Sequence, residues 1–210
     1  MFITFEGPDG SGKTTQARLL AAYLQAQGQR VHLTREPGGS AIGDQIREVL
    51  HKLENTAMHP STEVLLYQAS RAQLVNQVIR PQLAEGAIVL CDRYADSTLA
   101  YQGYGHGLDL GVLRTLIEFA TGGLQPDLTL YFSLSAEAGL VRRQQAAAQG
   151  EEFNRLDAYA LAFHQRVRAG YETLIAAHVD RWVRIDAEAN IESVEQAVRQ
   201  AVQARLPSKR

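Results

Sequence analysis

An α/β fold, a mostly parallel sheet with helices on both faces, is predicted for this chain from three observations. Short apolar runs at residues 2–5, 31–34, 87–91, 128–132 and 182–185 alternate with longer stretches whose apolar residues recur at helical spacing. The run from Ala87 to Cys91 is apolar without alternation, as in a strand buried on both faces of a parallel sheet. A glycine-rich turn joins the first run to the first helical stretch, placing a special backbone at the end of a strand where such folds collect ligands.

The elements follow in order. Phe2 to Phe5 reads as a strand, and Ala17, Leu19, Leu20, Tyr23 and Leu24 mark the helix after the turn, with Gly28 as its stop signal. Val31 to Thr34 is a second strand leading into Arg35, Glu36, Pro37, Gly38 and Gly39. Helices are expected over about Ile42–Leu53 and Ser61–Leu83, the second with Leu65, Leu66, Ala69, Ala72 and Val75 on its apolar side and with Pro81 ending or bending it. The strand Ala87–Cys91 stops at Asp92 and Arg93. Helices at Ser97–Ala100 and Val112–Ala120 precede a strand at Leu128–Phe132, and helix resumes at about Ala136. Gln144 to Asn154 is rich in Gln, Ala, Gly and Glu without hydrophobic periodicity, so a mobile, lid-like flap is expected at about 142–155, flanked by Arg142, Arg143 and Arg155. A long helix over Tyr159–His178, a strand at Trp182–Ile185 and a last helix over Ile191–Leu206 complete the chain.

With 210 residues and neither an internal repeat nor a linker, residues 1–210 are read as a single domain. A 45% hydrophobic and 21% charged composition is that of a folding globular chain. The net charge of −2, from 21 basic and 23 acidic residues, provides no overall positive field, which argues against a polynucleotide partner. The lone cysteine, Cys91, cannot form an intrachain disulfide and is read as core in a reducing cytosol. No run approaches the ~18 apolar residues of a membrane span, and Met1 to Glu6 has no basic start followed by a long apolar stretch, so a cytoplasmic location is expected.

Gly7, Pro8, Asp9, Gly10, Ser11, Gly12, Lys13 and Thr14 match the phosphate-binding pattern of Gly, four variable residues, Gly, Lys and Ser or Thr. In this pattern the glycines let successive backbone N–H groups converge on phosphate oxygens, and the helix start adds partial positive charge. Lys13 would neutralise the β and γ oxygens of ATP, and Thr14 would offer a hydroxyl to Mg2+. Asp92, at the end of another strand, stands where such an enzyme needs a carboxylate near the metal, and Arg93 beside it can grip a phosphate bidentately.

Beyond these residues, the runs Phe5–Gln16, Thr34–Ser40, Glu63–Gln73, Asp92–Gly103, Pro126–Tyr131, Asn154–Asp157 and Phe163–Tyr171 resemble the bacterial thymidylate kinase family across nearly the whole chain. The segment Asp92, Arg93, Tyr94, Ala95, Asp96, Ser97, then Ala100 to Gly103, is the most diagnostic. The resemblance implies a P-loop nucleoside monophosphate kinase-like fold, phosphorylation of dTMP to dTDP by ATP with Mg2+ in dTTP synthesis, and a homodimer. It also implies residue roles. Glu36 and Pro37 would border the monophosphate with Arg47 nearby, Tyr67 would stack on thymine, and Arg71 would donate to the thymine carbonyl. Ser97, Thr98 and Gln102 would line the base, and Arg93 would hold the acceptor phosphate. Tyr101 would lie against the sugar, disfavouring a ribose hydroxyl, and Asp9 would face the deoxyribose or the metal. Because Pro8, Asp9, Gly10 and Ser11 include no arginine, the lid arginines Arg142, Arg143 and Arg155 are implied at the transferring group, joining Lys13, Arg93 and Asp92 as catalytic candidates.

The chain departs from the family's usual residues at Tyr67, Ser70, Leu74 and Ser133, none of them a phosphate ligand. The histidines show no metal-ligand spacing, and Phe163, Val167 and Tyr171 read as packing residues. Two other readings stand beside the first. One is another nucleoside monophosphate or deoxynucleoside kinase; the other is a P-loop ATPase switch acting on a protein partner.

Overall fold

The computed structural model describes residues 1–150 and 153–206. In chain order the elements begin with β1 (Phe2–Glu6), α1 (Lys13–Ala26), β2 (Val31–Arg35), α2 (Ala41–His51) and α3 (Pro60–Leu74). They continue with α4 (Arg80–Ala84), β3 (Ile88–Asp92), α5 (Ala95–Thr98), α6 (Leu110–Thr121) and β4 (Leu128–Ser133). Last come α7 (Ala136–Ala148), α8 (Leu161–Ala177), β5 (Trp182–Asp186) and α9 (Ile191–Gln203). The five strands form one parallel sheet in the order β2-β3-β1-β4-β5. β1 is central, and the chain crosses over it between β3 and β4, so the carboxyl end of β1 opens at the point where the winding changes side.

Strand alternation sorts the core between the two sheet faces. Ile3 and Phe5 of β1 pack with Leu20 and Leu24 of α1, Leu90, Leu130 and Val198 of α9 on one face. Phe2 packs with Leu74 of α3, Ile117 of α6, and Tyr131, Tyr171 and Trp182 on the other. Each such side chain contributes roughly 1.5–3 kcal/mol on burial, which makes the two-sided sheet the dominant source of stability. Caps close the helices locally. The side chains of Ser40, Asp109, Ser135 and Asn190 accept from Gly43, Val112, Ala138 and Ser193 N–H at the starts of α2, α6, α7 and α9.

Two local expectations change. The long helix expected over Ser61–Leu83 is interrupted by a π turn, Val75–Ile79, before α4 resumes. In that turn Arg80 N–H reaches Val75 O, and Pro81, which has no N–H to donate, falls in the first turn of the resumed helix. A second π turn, Leu99–Gly105, follows α5 and carries Tyr101 and Gln102. The other change is in the expected flap, where α7 continues to Ala148. Ala and Gln have high helix propensity, and a surface helix end needs no apolar stripe, so hydrophobic spacing misses it. Residues 151–152 of that flap lie outside the described residues.

Candidate active site

The loop 7–12 leaves the buried end of β1 and enters α1. It is backed closely by α7: a Cβ on Gly10, whose φ is +76°, would come 2.5 Å from Gly139 O, and one on Gly139 would come 2.6 Å from Asp9 O. Both glycines are therefore required by backbone contact between the loop and the helix that carries Arg142 and Arg143. Lys13 Nζ donates to Pro8 O at 2.7 Å and to Ser11 Oγ at 3.2 Å. Burial, together with nearby Arg93, pushes the Lys13 ammonium down to about 8. Thr14 Oγ1 donates to the Asp92 carboxylate at the exposed edge.

A cavity of about 900 Å³ extends from this loop past the ends of β2 and β3 to the start of α5. Of the residues expected at a nucleotide or at the chemistry, Asp9, Gly10, Gly12, Lys13, Thr14, Asp92, Arg93, Arg142 and Arg143 line it. So do Glu36, Pro37, Arg47, Tyr67, Arg71, Ser97, Thr98, Tyr101 and Gln102. Gly7, Pro8 and Ser11 are not part of its wall, and all three are buried.

Arg93 is the centre of the cavity's charge. It is the only non-glycine among the described residues with positive φ, +69°, a conformation that aims its side chain back over β1. Its Nη1 donates to Gly7 O at 3.0 Å and Ser97 Oγ at 3.1 Å; its Nη2 donates to Asp9 Oδ1 at 2.6 Å and Tyr101 Oη at 3.0 Å. Tyr101 Oη in turn donates to Asp9 Oδ2 at 2.6 Å. Burial alone would push the Asp9 carboxyl up, but the Arg93 and Lys13 cations outweigh it and hold it well below the usual carboxylate range.

Beneath Arg93 lies Glu6, the last residue of β1. Its carboxylate accepts from Tyr94 N at 2.8 Å, Ser97 Oγ at 2.6 Å and Tyr171 Oη at 2.8 Å. Burial, reinforced by Asp96, pushes the Glu6 carboxyl up to about 7. Neither Glu6 nor the Tyr171 hydroxyl stands out in the sequence as a site residue. An acidic residue closing an apolar strand directly before the loop is the available signal for Glu6, whereas Tyr171 shares the helical spacing of its packing neighbours.

Arg71 is pinned. Its Nε donates to Glu36 Oε2 at 2.8 Å, its Nη1 to Gln68 Oε1 and Thr98 Oγ1 at 2.9 and 3.0 Å, and its Nη2 to Tyr94 O at 3.1 Å while lying 2.7 Å from Glu36 Oε2. A base carbonyl reaching this guanidinium would share N–H groups that already have partners. The Arg71 and Glu36 side chains are only 1% and 4% exposed. Arg71→Ala should therefore lower stability by about 3–5 kcal/mol by stranding a buried carboxylate. A denaturant melt in which Arg71→Ala with Glu36→Gln recovers most of that loss would assign it to the unpaired charge.

The arginines around the expected lid have separate positions. Arg142 Nη1 donates to Ala187 O at 2.8 Å, and Arg143 Nε and Nη2 each lie 3.1 Å from the Asp157 carboxylate. Arg155, expected at the transferring phosphate, does not line the cavity. It is buried in an ion pair with Glu63 and donates to Tyr159 Oη at 2.6 Å and Leu50 O at 3.3 Å. The Asn154–Asp157 turn folds back on α3, a long-range packing choice that residue type does not encode.

Comparison with known proteins gives a consistent result. The family model described as Thymidylate kinase matches residues 5–198. Thymidylate kinase of Roseiflexus sp. (strain RS-1) is 53% identical over 216 residues, 99% of this chain and 96% of that protein. That of Trichlorobacter lovleyi is 51% identical over 98% of each. The crystal structure of thymidylate kinase from Ehrlichia chaffeensis superposes with a TM-score of 0.78 at 34% identity, covering 97% of this chain and 98% of that one.

Proposed function

The chain belongs to the thymidylate kinase family and is an ATP-dependent kinase that phosphorylates dTMP to dTDP for dTTP synthesis; from this premise we propose that the two nucleotides meet in the 900 Å³ cavity, ATP over loop 7–14 and dTMP against Arg93. The observation that carries the proposal is that one cavity is lined both by the glycine-rich loop with Lys13 and Thr14 and by the anchored Arg93 guanidinium.

A phosphate oxygen of dTMP attacks the γ-phosphorus in line. One O–P bond forms as the bond to the β-γ bridging oxygen breaks, and ADP leaves with that electron pair. The nucleophile is already anionic, so the protein's task is to bring two highly charged ligands together and spread the developing charge. Lys13 leaves Pro8 O and Ser11 Oγ to meet the β and γ oxygens, and Arg93 presents its fork to the dTMP phosphate while Asp9 and Tyr101 hold it from behind. Arg142 and Arg143 approach from α7 to cover the phosphates and exclude water. Arg155 steadies the lid base through Glu63.

The Thr14 hydroxyl and Asp92 carboxylate, two hard oxygen donors in mutual contact at the loop's mouth, fit Mg2+, which takes few protein ligands and completes its shell with phosphates and waters. Among the described residues no cluster of three or more His, Cys, Asp or Glu offers a cage for a metal held by protein alone. Held there by Thr14 and Asp92, Mg2+ would supply positive charge against that of the triphosphate.

On the acceptor side, Tyr67 stacks on the base, Thr98 and Gln102 line its edge, and Glu36, Pro37 and Arg47 border the phosphate path. An ADP-release assay across dTMP, UMP, CMP and AMP tests the whole reading. Turnover is expected with dTMP above all, and equal rates with every acceptor would refute it.

A second copy of the chain covers the outer face of α3 and α6, where Leu65, Val112 and Phe119 are exposed, Phe119 at 89%. Phe119→Glu should shift sedimentation from dimer to monomer. A wild-type protein that sediments as a monomer would end this part of the reading. We take the reaction to run in the cytoplasm, a reducing compartment in keeping with the free, buried Cys91 thiol.

A further inference from the structure

Glu63, in the first turn of α3, is 1% exposed, and the polar partners described for it are Gln102, His106 and Arg155. Its Oε1 accepts from Gln102 Nε2 at 2.7 Å and lies 3.3 Å from His106 Nε2, while its Oε2 takes the Arg155 guanidinium. Gln102 and His106 belong to the π turn 99–105 and its end, so one face of that turn is docked on a single carboxylate. Burial pushes the Glu63 carboxyl up, but contacts from His106, Arg155 and Gln102 outweigh it and leave it below the usual carboxylate value.

An ionised carboxylate has no hydrogen to give. The end of the Gln102 amide that meets it must therefore be the NH2, whichever way the amide would otherwise settle. Gln102 lines the cavity, and its Oε1 accepts from no donor among the described residues. A buried Arg–Glu pair is weak as a source of stability, because desolvation cancels most of its attraction and an apolar pair could fill the same space. What an apolar pair could not do is choose which end of Gln102 faces the cavity.

We propose that Glu63, held by Arg155, is a positioning residue that turns the Gln102 carbonyl toward the acceptor base, so that the pocket accepts a ring N–H and rejects a ring nitrogen with a lone pair. Thymine and uracil offer such an N–H at N3. Cytosine presents a lone pair there, which would face the Gln102 oxygen acceptor to acceptor. The inference rests on the reading of Gln102 as part of the base pocket. It adds that selection against cytosine is set by a residue which never meets the substrate.

The test is the ratio of kcat/KM for dTMP to that for dCMP. In Glu63→Gln the amide oxygen stays on Arg155, which can only donate, so the NH2 meets Gln102 and turns that amide's oxygen away from the cavity. The ratio should fall about tenfold, through weaker use of dTMP together with better use of dCMP, while KM for ATP stays within about twofold of the wild type. Glu63→Asp keeps an acceptor-only partner and should retain most of the discrimination. If Glu63→Gln does not fold, Glu63→Gln with Arg155→Gln removes both buried charges and carries the same comparison. Gln102→Leu separates the two levels: it should weaken dTMP and leave ATP unchanged. Undiminished use of dTMP by Gln102→Leu would overturn both the base-pocket reading and the inference. A weakened Gln102→Leu alongside an unchanged ratio in the Glu63 variants would overturn the inference alone.

Discussion

Lys13→Ala should reduce kcat by about three orders of magnitude or more, because the ammonium is the loop's only side-chain cation and, in the proposed transfer, meets the charge that grows in the transition state. Its effect on folding should be small by comparison. Lys13 is buried, its pKa is pushed down, and Arg93 is a like charge nearby, so removing it relieves a desolvated cation and loses little packing. Steady-state kinetics with a thermal melt separate the two effects. Near-normal turnover in a folded Lys13→Ala protein would exclude the proposed phosphoryl transfer.

The second large effect is expected at Arg93. Arg93→Ala should lower kcat/KM for dTMP by about a thousandfold while binding of ATP, followed by direct titration, weakens far less. The same substitution strips Asp9 of its closest cation, so the Asp9 carboxyl should titrate at a higher pH, its pKa being held down in the native chain by Arg93 and Lys13 against the pull of burial. Arg93→Lys restores charge without the fork that spans Gly7 O, Ser97, Asp9 and Tyr101, and it should recover only a small part of the activity. Full recovery by lysine would mean that charge alone matters there. Equal losses for both nucleotides would remove Arg93 from the acceptor side.

Elements carried by local pattern were legible in the residues. Continuous apolar runs mark the central strands; the observed Ile88–Asp92 is the expected run shifted by one residue at each end, and Leu128–Ser133 is the expected run extended by one. The glycine-rich loop 7–12 was legible because the phosphate-binding pattern it matches fixes residue types at fixed spacing between a strand and a helix. The π turn at Leu99–Gly105 was not, since its residues have ordinary helical character and the wider turn is imposed by docking on α8 and Glu63. The helical end of the expected flap escaped notice for the opposite reason. The run Gln144 to Ala148 presents no apolar stripe to signal a helix, and it holds helix by propensity alone.

Which residues are candidates for chemistry came from the sequence, because residue type and spacing match a phosphate-loop pattern with an acid and an arginine at a strand end. Who faces whom was decided only in three dimensions. Arg71, Arg93, Arg142 and Arg155 carry the same guanidinium, yet one is locked on Glu36, one is held upward by Asp9 and Tyr101, one reaches Ala187 O and one is buried on Glu63. Each partner lies far away along the chain, and the burial that makes these pairings matter arises only when sheet and helices close over them.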